Sequence, residues 1–246
     1  MLEICIDSVA SARAAAEGGA DRVELCASLP EGGTTPSAGM IREVRRVFSG
    51  GLMVIIRPRG YDFLYSEDEM SVMLHDIGVA RDAGADGIVI GCLTADGCVD
   101  PERCNPLIAA AGKMDVTFHR AFDMTRDLHE AMEDIIRLGI RRILTSGGMP
   151  DVPKGIPRIA ELVQAAAGRV SLMPGGGVSE INIPEIIHAT GVREIHLSAR
   201  HPVRGGMTFF NRHCSMGAYS QANEYEWREA SAEKIRLAKQ ALTEAY

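Results

Sequence analysis

Four stretches carry residue types that could do chemistry together. Asp115 to Asp123, D-V-T-F-H-R-A-F-D, ends an apolar run in His119, Arg120 and Asp123. Glu24 lies in R-V-E-L-C, Arg57 and Arg59 in I-I-R-P-R, and His196 in E-I-H-L-S. A carboxylate and an imidazole beside fixed guanidinium groups are what acid–base chemistry on a small anion needs. In that scheme Glu24 or His119 is the acid or base, and Arg57 and Arg59 hold the anion. Asp123 orients His119 or Arg120, and His196 joins them. The anion would be a phosphorylated or carboxylated metabolite.

For these residues to meet, a fold must bring distant segments to one place. G-A-D-R-V-E-L-C (19–26), G-A-D-G-I-V-I-G (84–91), G-I-R-R-I-L-T-S (139–146) and G-V-R-E-I-H-L-S (191–198) repeat one pattern. Each begins with a glycine that closes a helical pattern and then runs into a strand. Between them lie four more strands, L-E-I-C-I-D (2–7), L-M-V-I-I-R-P (52–58), V-T-F-H (116–119) and V-S-L-M-P (170–174). Apolar-periodic helices follow each, one of them opened by the capping box S-E-D-E at Ser66. Eight strands alternating with eight helices make a (β/α)8 barrel of the TIM type, α/β in class and a single domain over residues 1–246. A doubly wound sheet has fewer units and a glycine fingerprint after its first strand, whereas D-S-V-A-S has no glycine. Residues 200–230 are weakly periodic and read as an irregular connection over the rim before the last helix.

Strand side chains alternate between the helix-facing surface and the barrel interior. Ile4, Ile6, Val23, Leu25, Val54, Ile56, Val116, Phe118, Ile195 and Leu197 face the helices. That leaves Glu3, Cys5, Asp7, Glu24, Cys26, Ile55, Arg57, Thr117, His119, His196 and Ser198 inside. Burying unpaired charge is expensive, so these groups must find partners. Glu24 and Arg57, on neighbouring strands, are expected to pair, and Glu3 to pair lower down.

The loops after the later strands are rich in glycine. Ser146 and Gly147 follow the sixth strand, Gly175, Gly176 and Gly177 the seventh, and Ser198 and Arg200 the eighth. Backbone N–H groups in such loops form the common phosphate site of this fold, with Arg59, Arg120 and Arg200 as added charges.

The formal charge of −7 excludes a broad nucleic-acid or membrane-surface role, since both need clustered cations. No run approaches the roughly 18 apolar residues of a membrane span. The N-terminus lacks signal-peptide character, so a cytoplasmic location is expected. There the six cysteines are free thiols or ligands, and no C-x-x-C pair announces a zinc ribbon. Self-association, as a dimer, is expected of such a barrel.

I-C-I-D-S, R-V-E-L-C, G-G-T-T-P-S, R-P-R-G-Y-D-F-L-Y-S, T-F-H-R-A-F-D, R-I-L-T-S-G-G, M-P-G-G-G-V and E-I-H-L-S-A-R together resemble the copper homeostasis protein CutC family. The likeness implies a TIM-type barrel, a role in intracellular copper handling, and Cu(I) held by Cys5 and Cys26. Cu(I) prefers thiolates, and adjacent strands about 4.8 Å apart can present two. Thr34 stands where the family tends to have leucine, and Tyr61 where it tends to have glycine.

Overall fold

The computed structural model describes residues 1–211, 213–214, 216 and 224–245. Eight parallel strands form the barrel: β1 Leu2–Ile6, β2 Arg22–Leu25, β3 Gly51–Ile55, β4 Gly87–Ile90, β5 Asp115–Phe118, β6 Arg142–Thr145, β7 Ser171–Pro174 and β8 Ile195–Leu197. They are hydrogen-bonded in the order β7-β6-β5-β4-β3-β2-β1-β8. A single parallel bridge, Gly175 to His196, joins β7 to β8 and brings the ring to near closure. The helices are α1 Val9–Gly18, α2 Ala38–Val47, α3 Glu67–Asp82, α4 Pro101–Ala111, α5 Leu128–Arg137, α6 Val152–Ala166, α7 Ile183–Thr190 and α8 Ala232–Glu244. This is the TIM-type barrel that the strand count requires.

Local sequence explains the boundaries. Gly19, Gly84, Gly139 and Gly191 all have positive φ at or just past a helix end, a region that disfavours a Cβ. Ser8 caps α1, and the Ser66–Glu69 capping box opens α3. The expected helix-facing residues are buried in one continuous outer core between strands and helices. Cys5, Cys26, Met53, Ile55 and Val89 form a second, smaller apolar cluster inside the barrel.

One region departs from the expectation. The ends of the rim connection are regular: β9 Arg200–Arg204 pairs antiparallel with β10 Glu226–Ala230. The ribbon carries Arg, Glu and His on mostly exposed positions, so hydrophobic periodicity gives no signal there. Part of the stretch between these strands lies outside the described residues.

Candidate functional site

The barrel interior holds polar residues at two heights. The lower layer is a closed ion-pair network. Parallel register sets Glu3 opposite Arg22, whose Nε donates to Glu3. Arg22 also reaches Glu194 at 2.7 Å, and Glu194 accepts from Arg142 at 2.7 Å and from the Ser171 hydroxyl at 3.0 Å. Arg142 donates to Thr117 at 3.0 Å. Glu3 accepts from His196 Nδ1 at 2.7 Å. Burial alone would raise the Glu3 carboxyl, but His196 and Arg22 together hold it down to about 2. Arg22, Arg142 and Glu194 were not singled out from sequence. The signal was present: Arg22 is two residues before Glu24, and Glu194 two before His196, on the same alternating face.

Above this layer, Cys5 and Cys26 lie on a diagonal between β1 and the end of β2, their sulfurs 4.0 Å apart. The Cys26 thiol points at Glu24 Oε2 at 3.5 Å, and His196 Nε2 lies 3.8 Å from the same oxygen. Cys5, Glu24 and Cys26 have donor atoms all within 4.8 Å of one another, and all three are buried. The hydrogen bond between the thiols, opposed by burial and aided by His196, brings Cys5 down to about 5. The same bond, together with burial, pushes Cys26 up. Burial, against the charge of His196, raises Glu24 to about 8, so it is neutral at pH 7. Burial would lower His196, but Cys5, Glu3 and Glu24 outweigh it and the imidazole is held protonated.

These groups floor a chamber of about 130 Å³ whose wall includes Arg57, Phe63, His119 and Arg120. The chamber adjoins an outer groove of about 600 Å³, and Gly32, Arg57, Phe63 and Arg120 line both. Five candidates thus converge on one mouth: Glu24, Arg57, His119, Arg120 and His196. The expected pairing of Glu24 with Arg57 does not form. Glu24 registers opposite Met53, so Arg57 is four residues further along, roughly 13 Å of strand. Arg57 instead donates to the backbone carbonyls of Glu31, Gly33 and Tyr61. His119 Nδ1 accepts from the Ala121 N–H at 3.1 Å, which places the ring proton on Nε2. Burial and the charge of Arg57 lower His119 to about 3, so the ring stays neutral.

Asp123 does not contact His119. It accepts from Arg120 Nε at 2.8 Å, from the Ser146 and Gly148 N–H groups, and from the hydroxyls of Thr145 and Ser146. The chain's own carboxylate therefore fills the donor nest around Ser146 and Gly147. Gly176, at φ +104, lets Arg120 lie against the β7 loop, where a Cβ would come within 3.2 Å of Nη1. Gly175 carries the bridge to His196, and Gly177 packs on Asp151. Arg59 is engaged by Glu69 and Asp62, and Arg200 by Asp7. Arg59, Ser198 and Arg200 line neither chamber.

The CutC family model matches residues 1–201. The chain belongs to the CutC family. It is 46% identical to the human copper homeostasis protein cutC homolog, over 96% of this chain and 86% of that one. A CutC family protein of Bacteroides fragilis is 48% identical over 99% and 97% of the two chains. The crystal structure of a CutC from Streptococcus agalactiae superposes with a TM-score of 0.78 at 33% identity, covering 80% of this chain and 98% of that one. A thiamine phosphate pyrophosphorylase from Pyrococcus furiosus, 15% identical with a TM-score of 0.62 over 99% and 96%, shares the fold alone. Among the described residues, no helix is long and apolar enough to cross a membrane.

Proposed function

We propose that this CutC family member takes part in copper homeostasis by holding Cu(I) between Cys5 and Cys26. The observation that carries this reading is the buried pair of thiols 4.0 Å apart. Two metal–sulfur bonds of about 2.3 Å each span at most about 4.6 Å, so one ion can bridge these sulfurs with little movement of either strand. Soft thiolates favour Cu(I), and the buried site keeps competing water away. Glu24, held neutral, is a poor third ligand and instead keeps negative charge from accumulating around the thiolates. The copper homeostasis names of the relatives support the same reading. Free thiols at Cys5, Cys26, Cys92, Cys98 and Cys104 fit a reducing compartment, which we take to be the cytoplasm. A dimer is our working assembly, and sedimentation velocity checks it.

Anaerobic titration against a competing Cu(I) chelator tests the site. One ion should bind, and Cys5→Ser/Cys26→Ser should lose at least about 100-fold in affinity. Because Cys5 is ionised and Cys26 is not at pH 7, binding should release about one proton. Equal affinity in the native protein and the double variant would remove these sulfurs from the role.

A further inference from the structure

The thiols use only the floor of the chamber, and its wall has unmet demands of its own. Among the described residues three buried side-chain polar atoms lack a hydrogen-bond partner. Two of them, Arg57 Nε and His119 Nε2, belong to residues lining the chamber. Arg57 is 5% exposed and His119 4%, so bulk water does little to compensate either. No carboxylate among the described residues lies within ion-pair distance of Arg57, in contrast to Arg22 and Arg142 below it. Its anchors are neutral carbonyls, which fix the guanidinium without cancelling its charge. A buried cation without a counter-ion is costly unless something else supplies one. His119 adds a neutral N–H donor to the same wall, with its Nδ1 already committed to Ala121.

The outer groove has the opposite character. Tyr61, Leu64 and Met124 line it and are 91%, 44% and 68% exposed, with Phe63 and Leu93 beside them. An exposed apolar cluster at the entrance of a polar chamber marks a binding site for an amphipathic molecule. We propose that the mouth binds a small organic carboxylate, its anionic head on the Arg57–His119 wall of the inner chamber and its apolar body in the outer groove. A monoanion fits better than a phosphate dianion. The loop donors a phosphate would use around Ser146 are taken by Asp123. The size limits agree: the chamber has room for a head of a few heavy atoms, while the groove is several times larger.

This site is independent of copper, and the experiment keeps the two apart. Isothermal titration and thermal shift are run on metal-free protein and on Cys5→Ser/Cys26→Ser, which cannot bridge a metal through two sulfurs. The probes are hexanoate, octanoate and 3-phenylpropanoate, each against its primary amide, with acetate as a head lacking a body. The tailed carboxylates should bind both proteins and raise their melting temperature. Each amide and acetate should bind at least about tenfold more weakly. Leu64→Asp, a change at a half-exposed position, should weaken the carboxylates by about tenfold or more with melting unchanged, and His119→Phe should do so while copper binding persists. Acid and amide binding equally well, undiminished binding in both variants, or no binding by any probe to folded protein at about 10 mM would each overturn the proposal.

Discussion

The two polar layers of this barrel are a few residues apart along the same strands, and they solve the problem of buried charge differently. In the lower layer every charge has a protein partner: Glu3 meets Arg22 and His196, and Glu194 meets Arg22 and Arg142. At the mouth Arg57 has backbone carbonyls and the face of Phe63 but no carboxylate among the described residues, His119 has a bare donor, and Glu24 gives up its charge. A complete network specifies packing and leaves nothing for a ligand. An incomplete one is a place where a ligand can offset the desolvation cost. The lesson is that buried charge alone does not mark a site; an unmet partner does.

The largest effect expected from this contrast comes from breaking the lower layer. Arg22→Met takes one cationic partner from both Glu3 and Glu194, leaving them His196 and Arg142, and should cost about 3 kcal/mol in urea denaturation. Glu3→Gln should also be severe at pH 7. Its carboxyl is depressed to about 2, so its contribution is complete above the unfolded value of 4.5 and fades as pH falls towards 2.

The same substitution one layer up sharpens the comparison. Glu24→Gln replaces a group that the folded protein keeps neutral at pH 7 and the unfolded chain does not, so it should raise stability there and leave it nearly unchanged at about pH 4. Between pH 4.5 and about 8 the folded protein holds a proton at Glu24 that the unfolded chain has lost. Native Glu24 therefore makes stability fall as pH rises through that window, and Glu24→Gln should flatten the slope in parallel melts at pH 5 and pH 8. A steep loss in Glu24→Gln at pH 7 would mean the upper layer is as tightly paired as the lower.

The smallest effect concerns the rim. Tyr61 sits at φ +66 with its ring 91% exposed, so its backbone bears left-handed strain that no packing of the ring repays. Tyr61→Gly should stabilise the fold by roughly 0.5–1 kcal/mol in chemical denaturation. The same geometry explains why glycine suits this position in R-P-R-G-Y-D-F.

Much of this architecture was legible in the residues. The glycines that end helices, the capping serines and the period-two strands gave the barrel, and the alternation named Glu24, Arg57, His119 and His196 as interior groups. The β9–β10 ribbon was not legible, because exposed, charged strands carry no hydrophobic period. The glycine-rich loops were read as anion cradles, but nothing local to S-G-G announces that Asp123, more than twenty residues earlier, supplies the carboxylate that sits there.

What the sequence determined by itself was facing: period-two geometry is a property of each strand, so it states which side chains enter the barrel. What only the tertiary structure decided was partnership. Strand register put Glu3 beside Arg22 and set Glu24 opposite Met53 rather than Arg57. Loops from elsewhere in the chain then folded over Arg57 and offered it carbonyls. The 4.0 Å between two sulfurs has the same origin, since distances between strands depend on how the whole ring closes and on no single stretch of it.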